Sequence, residues 1–206
     1  MSDIQPKLIY LTCRNVAFTR DDWTCRWREH GALGVSRRRW KNVQRYVHCD
    51  LIYPHGNEGA SLGDHDGVGL IWHRSIEHRN AHFADDEAQA VMEADEVETF
   101  AEKISLNCLS AEEQIVVHPA PDATFHLFCF AWDDAAFADL SGLRGEVHCT
   151  PLLQPSGGRW GLDCKRIGEF WFAERSAAIS AAKKLSGSGR ICVIGRDCEL
   201  YRASGT

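Results

Sequence analysis

Histidine is the residue type in this sequence with the clearest capacity for chemistry. Ten histidines are present, and seven of them fall between residues 30 and 82. Imidazole titrates near neutral pH, so it suits general acid–base catalysis. His30, His48 and His73 lie in segments with helix or strand patterns, and we expect them to converge on one cavity. For each of the three, the alternative is a core or surface histidine bonded to a carbonyl oxygen.

An internal repeat distinguishes His73 from the other two. The strand-like run GLIWH at residues 69–73 returns 99 positions later as GEFWF at residues 168–172. His73 therefore stands where the second copy has Phe172. A single active site in a duplicated scaffold would place a polar group on one copy only. We predict that His73 or His48 is the general base, and that the His73→Phe protein folds.

Aromatic residues accompany these histidines. Trp23, Trp27 and His30 are spaced i, i+4 and i+7, so they share one face of a helix that begins after the capping box at residues 19–22. Tyr46 or Tyr53 is predicted to donate a hydrogen bond to a developing phenolate or enolate. A glycine on the His73 strand leaves room for a ligand near the sheet. The predicted substrate-binding residues are Trp23, Trp27, Trp72 and Gly69.

The elements that must position these residues alternate in a regular order. The predicted strands span 7–13, 45–53, 66–75 and 104–117, and then 125–132, 146–152, 166–174 and 190–195. The predicted helices begin after Thr19, with an end or an interruption at Gly31 and Gly34, and lie within 85–103, 133–143 and 176–185. The resulting β-α-β-β-α-β order is the split βαβ pattern of the ferredoxin-like fold.

The segment HPAP at residues 118–121 is the predicted boundary between two repeats, 1–118 and 119–206. Each repeat has a sheet with one open face, and such a face must be buried. We therefore predict an α+β protein in which two ferredoxin-like repeats pack their sheets together. The expected result is a pseudo-dimeric α+β barrel within one chain.

Composition argues against several other classes of function. The formal net charge of −6 is unfavourable for nucleic-acid binding, which depends on phosphate neutralisation. No apolar run approaches the roughly 20 residues of a membrane span. The N-terminus lacks the features of a signal peptide, so a cytoplasmic location is predicted. Association into a homodimer stays open.

Metal and cofactor signals are also weak. The nine cysteines are scattered without a Cys-x-x-Cys motif, which predicts neither a structural zinc site nor a disulfide. No Gly-x-Gly-x-x-Gly opens a helix, which argues against a nucleotide cofactor. Strand histidines together with Asp50 are the alternative metal site. The prediction is that the protein uses no metal and no cofactor.

Residues 7–117 resemble a known family. The run FTRDDW at 18–23 followed by RWREH at 26–30 resembles the helix of EthD-type proteins of the dimeric α+β barrel superfamily. The runs RYV at 45–47 and DGV at 66–68, with Trp72, resemble their second and third strands. The superfamily includes cofactor-free monooxygenases, polyketide cyclases and dehydratases, lactone isomerases and haem proteins. The resemblance implies a small hydrophobic ligand between sheet and helices.

These observations predict a cofactor-independent lyase that acts on an aromatic or polyketide-like molecule. The reaction would be elimination, decarboxylation or C–C cleavage by acid–base catalysis. One alternative is a cofactor-free monooxygenase of a phenolic substrate. Another is a non-catalytic carrier of a hydrophobic small molecule, which would not need histidines on the pocket face.

Overall fold

The computed structural model describes residues 4–52, 65–152, 161–187 and 189–204. The strands are β1 (Pro6–Thr12), β2 (Val43–Leu51), β3 (Gly67–His73), β4 (Cys108–Val117), β5 (Phe125–Ala131), β6 (Leu143–Pro151), β7 (Arg166–Phe172) and β8 (Arg190–Arg202). The α-helices are α1 (Arg20–Val35), α2 (Ile76–Phe83), α3 (Asp86–Thr99) and α4 (Arg175–Leu185). Short 3₁₀ helices span Arg38–Asn42 and Ile104–Leu106.

The strands close into one antiparallel barrel in the order β1-β3-β2-β8-β5-β7-β6-β4. The pairs β2–β8 and β4–β6 join the strands of the first half to those of the second. Within the halves, the orders β4-β1-β3-β2 and β8-β5-β7-β6 correspond strand for strand. The prediction of an α+β barrel formed within one chain is confirmed.

The prediction of a helix at residues 133–143 is wrong, because residues 134–140 have no regular structure. Their backbone carbonyls accept hydrogen bonds from long basic side chains instead of from helical N–H groups. Arg166 Nη1 donates to the carbonyls of Asp134 and Ala135, at 3.1 and 3.0 Å, and Lys184 Nζ donates to that of Asp139 at 2.5 Å. The second half therefore lacks the first helix of a full β-α-β-β-α-β unit.

The helices of the first half also differ from the prediction. Helix α2 was not predicted; it begins after Ser75, whose hydroxyl accepts a hydrogen bond from the His78 N–H. Helix α1 continues through both glycines that were expected to end or interrupt it. A Cβ at Gly31 would lie 2.6 Å from Leu200 Cδ1, and one at Gly34 would lie 3.2 Å from the Trp40 ring. These glycines provide packing space rather than a helix end.

Alternating side chains of β1 belong to two separate hydrophobic clusters, one inside the barrel and one outside it. Ile9 and Leu11 point into the barrel, whereas Leu8 and Tyr10 point outward and pack with the tryptophans of α1. Helices α1, α2 and α3 cover the outer face of the first sheet, and α4 covers that of the second. No α-helix in the described segments combines the length and apolar character that a membrane span requires.

Candidate active site

A cavity of about 700 Å³ lies between the outer face of the first sheet and its covering helices. Its floor includes Leu8, Tyr10, Tyr46 and Ile71 from strands β1, β2 and β3. Residues of α1, α2, α3 and the two 3₁₀ helices form the walls. The volume is within the range of cavities that bind small organic molecules.

His30 reaches this cavity from α1. Its Nδ1 lies 2.6 Å from Asp95 Oδ2 on α3, and Arg26 Nη2 donates to Asp95 Oδ1 at 2.6 Å. Burial lowers the pKa of His30, and the hydrogen bond to Asp95 offsets only part of that effect. Neutral His30 therefore donates its Nδ1–H to Asp95. Nε2 keeps its lone pair, and no residue in the described part of the chain bonds it.

The carboxylate of Asp95 is suited to this orienting role. Burial alone would raise its pKa, but hydrogen bonds from Arg26 and His30, together with their charges, bring it below the ordinary value. Thr99 Oγ1 adds a further contact, at 3.3 Å from Asp95 Oδ2. Asp95 is thus ionised at neutral pH and is held from several directions.

Two tyrosines on the cavity floor end a chain of hydrogen bonds. Arg28 Nη1 lies 2.7 Å from His48 Nδ1, and because arginine can only donate, Nδ1 is the acceptor. His48 Nε2–H therefore donates to Tyr46 Oη at 2.5 Å, and Tyr46 donates to Tyr10 Oη at 2.8 Å. Asp50 binds the same arginine at the far end of the chain. In this direction of donation, no described residue accepts the Tyr10 hydroxyl proton.

The protonation states along this chain agree with the assigned direction. Burial raises the pKa values of Tyr10 and Tyr46 above the ordinary value for a phenol, so both stay protonated donors. Burial and the Arg28 charge lower the pKa of His48, so its imidazole is neutral. His48 does not line the cavity itself. It lies behind Tyr46 and fixes the orientation of the phenol.

The two tryptophans of α1 support His48 and do not form a cavity wall. Trp27 stacks on the His48 ring at 3.8 Å between centroids, and Trp23 stacks on Trp27 at 4.9 Å. A Cβ at Gly67 would lie 2.4 Å from the Trp27 ring, so this glycine allows the close packing. Gly69 serves Tyr10 in the same way, since its Cβ would lie 1.9 Å from Tyr10 Cζ.

His73 does not share this cavity with His30. It is fully buried, and its ring packs against His82 and Phe83 of α2, at 5.1 and 5.8 Å between centroids. His82 and Phe83 line the cavity, and His73 does not. Burial lowers the pKa of His73 to about 3, which makes it a weak base at neutral pH.

Trp72 is also away from the cavity. Trp72 points into the barrel, where its Nε1 donates to Glu113 Oε1 at 3.0 Å and Lys7 lies over its ring. Tyr53 lies outside the described residues. Of the predicted residues, the structure thus places His30 and Tyr46 in the cavity wall, and His48, Trp23, Trp27 and Gly69 directly behind it.

Sequence reasoning missed four polar residues of the site: Tyr10, Asp95, Glu96 and Arg39. Period-two alternation in β1 was the available signal for Tyr10, because it shares a face with Leu8. Burial raises the pKa of Glu96 to about 7, so a neutral carboxylic acid is well populated in the cavity. Arg39 is buried beside Gln89, to which its Nη1 donates at 2.8 Å.

A separate polar cluster fills part of the barrel interior. Lys7 Nζ lies 2.7 Å from both oxygens of Glu169 and 3.2 Å from Glu113. Burial alone would raise the pKa of Glu169, but the Lys7 charge and bonds from His126 and Cys149 lower it to about 2. The His126 ring continues the cluster to Asp197, at 2.9 Å.

Asp197 brings a third type of ligand atom into the same region. Side-chain atoms of Cys49, His126 and Asp197 lie within 4.8 Å of one another, a grouping that could hold a metal ion. Asp197 already accepts a hydrogen bond from His126 Nδ1. These three residues are therefore the place to test the prediction that the protein binds no metal.

Known proteins resemble part of this chain in sequence and the whole of it in fold. Residues 16–104 match the family described as the EthD domain, whereas no curated protein sequence matches the chain. An anthrone oxidase-like protein is 11% identical with a TM-score of 0.63, covering 100% of this chain and 98% of its own. A structure described as a monooxygenase from Lactobacillus acidophilus is 10% identical with a TM-score of 0.52, covering 99% and 98%.

A mutant chlorite dismutase from Candidatus Nitrospira defluvii also has a fold similar to that of this chain. It is 8% identical with a TM-score of 0.57, covering 97% of this chain and 94% of its own. At such low identity, these similarities establish the fold and leave the chemistry to the residues of the site.

Proposed function

We propose that this chain is an enzyme that abstracts a proton from an aromatic small molecule. The match of residues 16–104 to the EthD domain family and the similar fold of an anthrone oxidase-like protein support this proposal. The observation that carries the proposal is the His30–Asp95 pair, which leaves the Nε2 lone pair of a cavity-lining histidine without a described partner, beside a cavity floor that contains Tyr10 and Tyr46. The resulting carbanion then reacts with dioxygen, without an organic cofactor.

The first step is transfer of a proton from carbon to His30 Nε2. Asp95 holds the ring in the required tautomer and stabilises the imidazolium as it forms. The low pKa of the free histidine keeps it unprotonated and ready at neutral pH. A positioned base of this kind typically contributes about 10²–10⁴-fold to the rate.

The electron pair of the broken C–H bond stays on the substrate, and its negative charge accumulates on the substrate oxygen as an enolate or phenolate. In this proposal the Tyr10 O–H donates to that oxygen, and Tyr46 and His48 donate along the chain behind it. Each donor is oriented before the reaction begins, which is the condition for effective oxyanion stabilisation. Cavity residues such as Leu8, Ile71 and Phe83 exclude water from the carbanion.

Dioxygen is the proposed co-reactant. For a methylene carbon beside an aromatic carbonyl system, the carbanion adds dioxygen to give a peroxide. Protonation and loss of one water molecule then leave a carbonyl, so one CH₂ and one O₂ yield one C=O and one H₂O. The names of two structurally similar proteins, anthrone oxidase-like protein and monooxygenase, favour this outcome over others that begin with the same proton transfer.

Elimination is the second candidate, and Glu96 is the observation that favours it. A carboxyl group with a pKa of about 7 in the cavity supplies a proton to a leaving hydroxyl group while His30 removes the proton from carbon. This lyase reaction consumes no dioxygen. A carrier protein, by contrast, has no use for an oriented His30–Asp95 pair.

Anthrone is a suitable probe because its acidic methylene protons report proton abstraction separately from oxidation. Under anaerobic conditions in deuterated water, we expect wild-type protein to accelerate methylene exchange, measured by NMR. In air, we expect dioxygen uptake and anthraquinone formation in equal amounts. The protein is first treated with chelator; visible absorption then identifies a bound haem, and elemental analysis identifies a bound metal. Exchange without dioxygen uptake, followed by dehydration of a hydroxylated analogue, indicates the lyase.

The matched variants are His30→Gln and His148→Gln. His148 also bonds a carboxylate, Glu146 at 2.8 Å, but it lies in the second half of the chain, away from the cavity. Loss of exchange in the first variant and its retention in the second are expected. Equal rates in wild type and His30→Gln would overturn the proposed role of His30.

A further inference from the structure

Arg39 is an arginine of the cavity lining that the proposed proton transfer does not use. It lies in the 3₁₀ helix Arg38–Asn42, is 6% exposed and lines the cavity. Its Nη1 donates to Gln89, a neutral amide, at 2.8 Å. No carboxylate of the described residues comes within 4.0 Å of its guanidinium nitrogens, although Asp85 and Glu96 act on it from farther away.

A buried lysine of the same protein shows how carboxylates compensate a buried positive charge. Lys7 contacts two carboxylates in the barrel interior, at 2.7 and 3.2 Å. An isolated buried charge is unfavourable unless a counter-charge and hydrogen bonds compensate it. Burial lowers the pKa of Arg39, in agreement with incomplete compensation. The free protein therefore keeps an under-compensated cation beside an apolar cavity.

The guanidinium of Arg39 keeps donors that no described residue uses. With Nη1 engaged by Gln89, no described residue accepts a hydrogen bond from Nη2, and the buried Nε has no partner either. Guanidinium N–H groups form strong, charge-assisted hydrogen bonds with carboxylates.

We propose that the ligand of this cavity is an aromatic carboxylic acid whose carboxylate pairs with Arg39. This inference deepens the proposed function, on which it rests: Arg39 anchors the acid group, and His30 and Tyr10 act on the other polar end of the same molecule. Arg39 is a substrate-binding residue in this account and takes no part in proton transfer. The aromatic body of the ligand lies against the apolar part of the wall, which includes Trp40 and Phe83.

A matched ligand pair isolates the carboxylate. An anthraquinone carboxylic acid and its primary carboxamide have nearly the same shape, but only the acid is anionic at neutral pH. Binding to wild-type protein is measured by calorimetry, with quenching of tryptophan fluorescence as a second readout. We expect the acid to bind about tenfold or more tightly than the amide, the scale of one charge-assisted hydrogen bond.

Two variants assign that preference to one residue. In Arg39→Met, the ratio of the two dissociation constants should fall to about one, because the arginine of the described cavity lining is lost. Arg38→Met is the control, since Arg38 is the exposed neighbour in the same 3₁₀ helix and its removal should leave the ratio unchanged. Persistence of the preference in Arg39→Met would overturn the inference.

The wild-type ratio decides the matter even when Arg39→Met does not fold. Equal binding of acid and amide to the wild-type protein overturns the inference without any variant. A clear preference for the acid combined with no proton exchange and no dioxygen uptake supports the anion site and rejects the proposed function. Exchange of anthrone without any preference for the acid supports the proposed function and rejects the anion site.

Discussion

Replacing Asp95 with asparagine alters the tautomer of the candidate base with almost no change in volume. Arg26 Nη2 donates to Asp95 Oδ1, and since arginine only donates, the amide oxygen of the asparagine must occupy that position. The amide NH₂ then faces His30 Nδ1, where Asp95 Oδ2 lies at 2.6 Å in the wild type. His30 Nδ1 becomes an acceptor, the ring proton moves to Nε2, and the lone pair that faces the cavity is lost.

The expected loss follows from that change in tautomer. A general base contributes about 10²–10⁴-fold, which corresponds to about 2.7–5.4 kcal/mol of transition-state free energy. We therefore expect Asp95→Asn to lower kcat/KM by about that factor while the protein remains folded. The double variant Asp95→Asn/His30→Gln should lose no more activity than His30→Gln alone, because the two residues act as a unit.

The pH profile gives an independent check with a defined sign. Catalysis requires neutral His30, so kcat/KM rises with pH through the pKa of His30, which burial places below 6.5. The Asp95 hydrogen bond and charge raise that pKa, and removing the charge should move the rising limb to lower pH. Anthrone exchange in deuterated water measures both the plateau and the limb. The matched control is Glu146→Gln, which changes the His148–Glu146 pair at 2.8 Å. A plateau within about threefold of wild type, or a limb that moves upward, would refute the reasoning.

Three further predictions use the same assays or a urea titration. Tyr10→Phe removes the donor that faces the ligand and should lower kcat by about 10²–10³-fold, the usual effect of one oxyanion donor, whereas an unchanged kcat would contradict that role. His73→Phe should fold and keep activity within about threefold, because His73 does not line the cavity; a loss of 10²-fold or more would restore it as the leading base. Lys7→Met leaves Glu169 buried without its partner at 2.7 Å and should lower the free energy of unfolding by about 3–5 kcal/mol. The control Lys165→Met breaks an exposed pair with Asp134 and should lower it by less than about 1 kcal/mol. Equal effects of the two variants would contradict this prediction.

The fold was accessible from sequence because strand alternation, turn residues and a capping box act locally. Thr19 does cap α1, through its side chain and the Asp22 N–H, and the predicted strands correspond to the barrel strands. The missing helix at residues 133–143 shows the limit of that reasoning. Its residues favour a helix locally, but arginines distant in sequence satisfy its carbonyls in another way.

The site was less accessible because its partners are far apart in sequence. Asp95 reaches His30 from a helix 65 residues later, and no periodicity relates the two. One constraint was available and unused: Trp72 and His73 are consecutive in a strand, so they cannot face the same cavity. Helix α2, which was not predicted, covers His73 with His82 and separates it from the ligand space.

Register equivalence between the halves identifies the asymmetry that matters. Gly69 lies opposite Tyr10 and His48, and Gly168 lies opposite Cys129 and His148. His48 therefore has a histidine counterpart in the second half, whereas the phenol of Tyr10 is replaced by a thiol.

The second phenol and the base are missing from the second half as well. The counterpart of Tyr46 is Glu146, since these residues lie opposite Ile71 and Phe170. Phe137 of the segment without regular structure contacts Phe170, and residues 134–140 form no helix that could carry an equivalent of His30. His73 does not line the cavity, so the proposed chemistry does not depend on the difference between His73 and Phe172. The two phenols and the helix that carries His30 are what confine the proposed chemistry to the first half of the barrel.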